Sequence, residues 1–397
     1  MTPQTERAAG RTRGILSRAA GGLFAAGLLA SSPLWTQEIF SDPFESGTLC
    51  SWSFPPAGFE VGGNGLDDDC DGAFDEAPIA CDVGLPSNSA DPLQFAAAMN
   101  LCGTTTENGH DWGVISGTLS LASGTGTSAA ASKSIRSTFG ASSAQNGNAM
   151  VVLSSGAAAA PDQANPAHAV FQNGLDTGTQ SAVPADWLAA HGGILPVAPG
   201  CPQPSFSGTA YNPVMLTYRI RVPGNAHSFR LGFRFFTAEF PEYVCTSNID
   251  YFVALLESGF SGAPANPVDE NLATYVAPGG TYPVGAHLAN DDTGLFEQCQ
   301  NGPTGCNGGG VATISSCTTT SALNGSGMEV VPTGSPPPLP WCDAAARFTG
   351  GGTNWLWLRG NVAPGENLTL RLAIWDGADG LWDSVVLLDD FQWSTEP

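Results

Sequence analysis

The chain has 397 residues, of which 42% are hydrophobic, 50 are Gly and 30 are Pro, and its formal net charge is -23 at pH 7. This charge repels nucleic acid, which we exclude as a partner, disfavours docking on anionic lipid, and attracts hard divalent cations. Residues that favour exposed helical faces are scarce, since Lys133 is the only lysine, and this argues against an α-rich fold.

The first thirty residues differ in composition from the rest. Four arginines precede an uncharged stretch that ends in small residues, namely Arg7, Arg11, Arg13 and Arg18. This order predicts a signal peptide over residues 1–32 and a secreted or cell-surface protein. An anchored helix is the alternative, because the uncharged run is close to the length of a membrane span. Its glycines and Pro33 make it a poor span, so we expect no stable span after signal removal.

The ten cysteines are even in number and contain no C-x-x-C pair. This spacing argues against zinc ribbons and thioredoxin-like sites and favours disulfides in an oxidising compartment. The sequence leaves the connectivity open. We expect local pairs, for example Cys81 with Cys102 and Cys306 with Cys317.

An irregular segment is expected over residues 33–60, because it shows no clear hydrophobic period. A short helix is predicted to begin at Pro92 with Asp91 as its N-cap. One face of this helix would carry Phe95, Ala98, Met99 and Cys102. Residues 104–210 are rich in Gly, Ala, Ser and Asn, and they indicate short strands within long loops.

Alternating apolar residues become frequent after Asn212, as in "MLTYRIRV" and "SFRLGFRFF". Strands of this kind, separated by Gly- and Pro-rich turns, are typical of antiparallel β structure. The fold class is therefore predicted as mainly β: an antiparallel sandwich or jelly-roll-like domain over residues 90–397, preceded by a small acidic metal-binding loop over residues 61–80.

The acidic loop "GNGLDDDCDGAFDEA" spans residues 63–77 and packs six carboxylates between Asp67 and Glu76. Alternating aspartates followed at once by Gly72 match the first six positions of an EF-hand loop, but Pro78 stands where that loop has its chelating Glu. The pattern predicts a shorter Ca²⁺ site, although a solvated acidic linker is the alternative. The predicted ligands are Asp67, Asp69, Asp71, the Ala73 carbonyl and Asp75, with Glu76 in support.

The same stretch resembles the MopE-type metal-binding motif of secreted bacterial proteins, whose usual form is G-(L/I)-D-(N/D)-D-C-D-G-x-x-D-E. The resemblance covers about thirteen residues, including Cys70. An all-oxygen ligand set suits Ca²⁺ better than Cu²⁺. We therefore expect Ca²⁺ as the cofactor and Cys70 in a disulfide.

Residues 90–397 resemble the choice-of-anchor L domain of bacterial secreted and surface proteins. The segment from Phe236 to Tyr243 is similar to that family's F-x-S-x-E-(F/Y)-P-E-(Y/W) pattern and matches its last five positions, and Asp250 and Phe252 fit its N-D-x-F strand, whereas Ile249 departs from it. "AIWDGADGLWDS", with Asp376, Asp379 and Asp383, is similar to the closing motif. The resemblance implies a sandwich and a surface context, and it leaves the biochemical function undefined.

The three aspartates of the closing motif lie in a predicted turn between two apolar strands. They are interpreted either as solvated caps or as calcium ligands. If the sandwich forms, two further acidic residues at strand ends would complete an oxygen cage. The possible second metal site comprises Glu239, Asp250, Asp376, Asp379 and Asp383.

The chain contains no G-x-S-x-G, H-E-x-x-H or phosphate-loop signature. The prediction is a non-enzymatic extracellular module for adhesion, matrix assembly or ligand display, with an unknown glycan or protein ligand. One alternative is a secreted hydrolase that acts on glycans through paired carboxylates. Another is a carbohydrate-binding sandwich whose exposed tryptophans stack on sugars, unless those side chains belong to the core; the candidates are Trp355, Trp357, Trp382 and Trp393.

Overall fold

The computed structural model describes most of the chain from residue 57 onward. The described residues are 57–171, 174–198, 201, 208–240, 243, 247–277, 280–288, 295–296, 298–299, 321–329 and 350–397. The predicted signal peptide, residues 33–56 of the irregular segment and the expected Cys306–Cys317 pair lie outside these residues.

The fold is mainly β, with 35% of the described residues in strands and 8% in helices, which confirms the predicted class. The strands are β1 Gly113–Ser120, β2 Lys133–Arg136, β3 Thr138–Phe139, β4 Ser142–Ser143, β5 Met150–Ser154, β6 Gln180–Ala182, β7 Thr209–Arg221, β8 Ser228–Thr237, β9 Tyr251–Glu257, β10 Thr274–Ala277, β11 Gly280–Gly285, β12 Gln298–Cys299, β13 Gly351–Gly352, β14 Leu356–Asn361, β15 Asn367–Gly377 and β16 Ser384–Ser394. The helices are α1 Pro92–Ala98 and α2 Ala185–Ala190. Neither of these described helices has the length and apolarity that a membrane crossing requires.

The strands form two seven-stranded sheets in which the paired strands are antiparallel. In the first sheet the order is β1-β7-β15-β9-β11-β10, and β6 pairs with β7. In the second sheet the order is β12-β13-β8-β16-β5-β2, and β14 pairs with β8. The strands β3 and β4 pair separately. The central strands β15 and β16 are joined by a turn that holds Asp379 and Asp383, and Asp376 lies near the end of β15.

The inner faces of the two sheets share one hydrophobic core. Alternate residues of β8 enter it, and so do alternate residues of β7, β9, β15 and β16. The rings of Phe233 on β8 and Phe252 on β9 lie 5.5 Å apart, which places the two sheets face to face. Burial of each large side chain contributes about 1.5–3 kcal/mol, so this interface is a principal source of stability.

Smaller apolar clusters cover the outer faces. On the first sheet, Trp187 of α2 packs against Tyr251 and Trp375 with ring centroids 5.9 Å apart in each case. On the second sheet, Phe139 packs against Phe171 and Phe236. Both sheets are therefore partly covered on both sides, which explains why their central strands are apolar almost throughout.

Helix α1 begins as predicted, with the Asp91 carboxylate accepting a hydrogen bond from the Leu93 N–H at 2.9 Å. It ends at Ala98, earlier than predicted, and Asn100 has a positive φ of 67° that carries the chain out of the helix. Met99 is buried as expected, but Cys102 lies beyond the helix and is exposed. The Cys81–Cys102 disulfide is confirmed, and Cys70 is disulfide-bonded as well.

Candidate metal centre

The acidic loop lies against the sandwich through the segment that precedes it. Trp112 donates its indole N–H to the Gly58 carbonyl at 2.7 Å. The Asn225 side chain accepts from the Phe59 N–H and donates to the Phe59 carbonyl, both at 2.9 Å. These contacts hold Glu60, the next residue, at the base of the loop.

Within the loop, the alternating aspartates accept hydrogen bonds from nearby backbone N–H groups. Asp67 accepts from Gly72 at 3.1 Å, Asp69 from Asp71 at 3.2 Å, and Asp71 from Ala73 at 2.8 Å. Gly72 has a φ of 95°, a backbone conformation that favours glycine and permits the sharp turn. These backbone hydrogen bonds hold the carboxylates close to the turn.

Two groups of three carboxylates are close enough to share a cation. One oxygen each from Glu60, Asp67 and Asp69 lie within 4.8 Å of one another, and the same holds for Asp69, Asp71 and Glu76. Asp69 belongs to both groups and is the centre of the arrangement. The structure therefore brings together four of the predicted ligands and adds Glu60.

Glu60 was missed in the sequence because it precedes the acidic run by seven residues. Its two carboxylate oxygens accept from the Asp75 N–H at 2.7 Å and the Asp68 N–H at 3.0 Å. The sequence feature that could have identified Glu60 is its position as an isolated acidic residue two positions before the glycine-rich turn that begins at Gly62.

Asp75 is placed differently from the other predicted ligands. Its carboxylate accepts from the Gly63 N–H at 2.6 Å and the Gly65 N–H at 3.1 Å, and it belongs to neither carboxylate group. It closes the loop by tying the end of the acidic run to its start. Ala73 donates its N–H to Asp71, and a ligand role for its carbonyl stays a prediction.

The crowding of charges changes the acidity of the loop. Burial raises the pKa of Asp69, as do the charges of Asp71, Glu60 and Asp67, and together these outweigh the hydrogen bond from the Asp71 N–H. The pKa of Glu76 is lowered by a backbone hydrogen bond, but desolvation and the charges of Glu60, Asp69 and Asp71 raise it overall. Ionised carboxylates therefore repel one another here, and a bound cation would remove that repulsion.

The second predicted set of acidic residues forms an interior cluster, defined as Glu239, Asp250, Asp376 and Asp383. All four side chains are buried. Glu239 follows β8, Asp250 precedes β9, Asp376 lies near the end of β15, and Asp383 precedes β16. The two sheets thus bring residues that are far apart in sequence to one end of the sandwich.

Asp250 and Asp376 have different hydrogen-bond partners. Asp250 accepts from the Ser384 hydroxyl at 2.5 Å and from the Gly377 N–H at 3.2 Å. Asp376 accepts from the Asn212 side-chain amide through Oδ2 at 3.3 Å, and its side chain also hydrogen-bonds with Ser155 and Asp250. Burial is the main cause that raises the pKa of both carboxyls, and for Asp376 the charges of Asp250, Asp383 and Glu239 add to it.

Asp383 is held from the other side by the Leu175 N–H at 2.9 Å, and Gly156 packs directly against its carboxylate. Burial raises the pKa of Asp383 to about 7, against the lowering effect of backbone hydrogen bonds. Asp379 is only partly buried, and it accepts from the Leu381 N–H at 3.0 Å and from the Asn248 side chain at 3.2 Å. Asp379 therefore caps the turn, outside the buried group.

The two acidic regions differ in ligand spacing. Over the described part of the chain, three carboxylate oxygens within 4.8 Å of one another occur only in the two loop groups. Among the described residues, the interior cluster forms no such group of three. The loop is thus the better candidate for a site formed by several carboxylates around one ion.

The predicted sugar-stacking tryptophans are mostly packed. Trp355 and Trp382 pack against the outer cluster of the second sheet, and Trp393 packs against the main core. Trp357 on β14 is the exception, since 45% of its surface is exposed and the Arg230 guanidinium lies 4.3 Å from its ring centroid. The interpretation that these side chains belong to the core therefore fits Trp355, Trp382 and Trp393.

Comparison with known proteins found no matching family model, curated protein or solved structure. The resemblances to the MopE-type motif and to the choice-of-anchor L domain stay predictions from the sequence.

Proposed function

We propose that the protein is an extracellular calcium-binding module and that its acidic loop is the binding site. The single observation that carries this proposal is the pair of carboxylate groups that share Asp69. Five carboxylates, from Glu60, Asp67, Asp69, Asp71 and Glu76, surround a turn with no described cationic side chain among them. Oxygen ligands in this number suit a hard cation with flexible coordination, which favours Ca²⁺ over smaller ions that need octahedral geometry.

The exposed position of the loop indicates weak to moderate affinity. Much of the segment from Asp71 to Ala77 is exposed, so an ion there keeps part of its hydration. Extracellular calcium modules work at dissociation constants of roughly 10⁻⁴ to 10⁻³ M. A site of this strength would be filled outside the cell, which fits the predicted export and the Cys81–Cys102 disulfide.

For the module as a whole we propose a non-enzymatic role in adhesion, matrix assembly or ligand display. The support is indirect: an antiparallel fold with covered sheet faces, a candidate cation loop on its surface, and the resemblance to a surface-associated family. In this proposal Ca²⁺ rigidifies the loop and neutralises part of a strongly acidic surface.

The test is calorimetric titration of Ca²⁺ into the purified protein and into the double variant Asp69→Asn/Asp71→Asn. Each substitution removes one negative charge from a group of three carboxylates while keeping the side-chain size. We expect the Ca²⁺ affinity of the loop to fall at least tenfold in the double variant. A matched control, Glu107→Gln, changes an exposed acid that pairs with Arg219 at 3.2 Å and should leave the affinity unchanged. Unaltered binding by the double variant would contradict the proposal.

Carbohydrate binding is a second candidate function, favoured by Trp357 alone. Its half-exposed indole stands beside Arg230 and Gln392, whose side chains hydrogen-bond at 2.8 Å. An aromatic face next to hydrogen-bonding groups can stack on a sugar ring. A glycan array should then show binding that Trp357→Ala abolishes and Trp393→Phe leaves intact, because Trp393 packs into the core. An array without signal would remove this candidate.

A further inference from the structure

A cavity of about 300 Å³ lies between residues 82–87, the end of β2 and the residues that precede β5. Polar side chains from these segments line it, and Leu85 and Ile135 add apolar surface. None of the lining residues belongs to the acidic loop. The volume is at the lower end of the range for small-molecule sites, so the cavity suits a ligand of roughly the size of one sugar or one amino acid.

Arg136, at the end of β2, brings a buried positive charge to the wall of this cavity. Its guanidinium donates to the Ser134 hydroxyl at 3.0 Å and to the carbonyls of Ala164 and Pro166 at 2.8 and 3.2 Å. All three acceptors are neutral, and a guanidinium has more N–H groups than these bonds use. The charge of the exposed Asp162 acts on Arg136, but the described ion pairs do not include either residue. A buried charge without an anionic contact is costly, so this group favours an anionic ligand.

Asp82 brings a buried negative charge to the same cavity. Its carboxylate accepts from the backbone N–H groups of Asn148 and Ala149, the second at 2.8 Å, and from the Asn148 side-chain amide at 3.2 Å. Burial raises the pKa of Asp82, but these hydrogen bonds outweigh burial and lower the pKa overall. Asp82 is therefore ionised at neutral pH, and it forms no ion pair with Arg136 among the described pairs.

The wall of the cavity is held in place by the fold. Asp389 on β16 accepts from the Gln145 and Asn146 N–H groups at 2.5 and 3.2 Å, and Asp82 holds the next part of the same turn. The Cys81–Cys102 disulfide anchors the residue that precedes Asp82. The two opposite charges are thus positioned before any ligand arrives, which reduces the cost of ordering the site on binding.

We propose that this cavity binds a small carboxylic acid that also carries a hydroxyl or ammonium group. The ligand carboxylate accepts from the Arg136 guanidinium, and its hydroxyl or ammonium group donates to Asp82. A simple anion would be repelled by Asp82, and a neutral sugar would leave the charge of Arg136 without an anionic partner. Sugar acids and amino acids share the required chemistry. This binding activity does not depend on the calcium loop.

The test is calorimetric titration of D-glucuronate, L-serine and D-glucose into the full chain. We expect saturable binding of D-glucuronate or L-serine, and at least tenfold weaker binding of D-glucose, which has no carboxylate. Arg136→Lys keeps the charge but loses the forked geometry, so it should weaken binding of the acid at least tenfold. Asp82→Asn should weaken binding of L-serine more than binding of D-glucuronate, because only L-serine presents a positive charge to Asp82.

A matched pair of tyrosine variants keeps the test valid if a substitution of either buried charge prevents folding. Ser137 is exposed and lines the cavity, so Ser137→Tyr should block the cavity and abolish binding. Ser123 is exposed and lies outside the cavity, so Ser123→Tyr should leave binding unchanged. The proposal would be overturned if neither acid bound, if D-glucose bound as tightly as the acids, or if Ser137→Tyr bound them as the parent does.

Discussion

The acidic loop and the interior cluster are both rich in carboxylates, yet they are assembled in opposite ways. In the loop, acidic residues close in sequence are held in place by hydrogen bonds from their own backbone, such as the one from Gly72 to Asp67. In the interior cluster, Asp250 and Asp376 meet because β9 and β15 pair, and Ser384 reaches them from the opposite sheet. The first arrangement is local, whereas the second exists only when the sandwich is folded.

This difference determines how a change in charge acts in each place. Much of the loop is exposed, so water screens its charges and the fold tolerates an empty site. The interior carboxylates are removed from water, and burial is the first cause of their raised pKa values. A substitution that disturbs the charges of the interior cluster should therefore change the stability of the whole fold. A substitution that disturbs the charges of the loop should change mainly the local order of the loop.

The largest expected effect comes from crowding the interior cluster. In Gly156→Ala the new methyl group would meet the Asp383 carboxylate, which Leu175 holds in place. We expect a loss of about 3 kcal/mol in the free energy of unfolding, measured by urea denaturation.

The matched control is Gly62→Ala in the loop, where the added methyl group would meet no atom within 4 Å. Its free energy of unfolding should change by less than about 0.5 kcal/mol. If Gly156→Ala and Gly62→Ala changed the free energy of unfolding equally, the Asp383 carboxylate would not be held as described.

An effect that is smaller per pH unit is expected at a buried acid outside both regions. Burial raises the pKa of Asp389 to about 7, although hydrogen bonds from Gln145 and Asn146 lower it in part. The unfolded chain loses this proton near pH 3.9, so between about pH 4 and 7 the native state holds a proton that the unfolded state has released. Stability therefore falls as pH rises through this window and levels off above it.

Asp389→Asn should remove up to about 1.4 kcal/mol per pH unit from that slope. Denaturation at several pH values between 4 and 7, with chelator present, measures the slope in the parent and the variant. The exposed Glu257→Gln serves as the control and should leave the slope unchanged. A parent and an Asp389→Asn variant with the same slope would refute this role of Asp389.

The Asp91 carboxylate makes a purely local contact, like those in the loop, and its removal measures the strength of such a contact. Asp91 caps α1 through the Leu93 N–H, and it is exposed. Asp91→Ala should lower the free energy of unfolding by about 1 kcal/mol, and Asp91→Asn, which can also cap, should retain most of it. If Asp91→Ala left thermal unfolding unchanged, local carboxylate contacts of this kind would contribute negligibly to the free energy of unfolding.

The sequence predicted what is encoded locally. The alternation in β7 and β8, the Asp91 cap and the grouping of Asp67, Asp69 and Asp71 in the loop follow from spacing within a few residues. Glu60 was not predicted, because its position beside the acidic loop depends on the hydrogen bond between Phe59 and the Asn225 side chain, which are 166 positions apart in the sequence.

Longer-range features were predicted only as candidates. The sequence placed Asp379 with Asp376 and Asp383, but the chain reverses direction at this turn and leaves Asp379 near the surface as a cap. Which side chains face the interior depends on strand register and on the irregularity between Ile374 and Asp376. A one-residue change in register reverses the facing of every later side chain, and spacing alone does not reveal it.

The most direct test of the loop as a calcium site is a Ca²⁺ titration of Glu60→Gln beside Asp75→Asn. Glu60 belongs to a carboxylate group around the shared Asp69, whereas Asp75 binds the Gly63 and Gly65 N–H groups. Calorimetry should show at least a tenfold loss of Ca²⁺ affinity in Glu60→Gln and less than a threefold loss in Asp75→Asn. Parent-like affinity in Glu60→Gln, or a larger loss in Asp75→Asn, would contradict the proposed site.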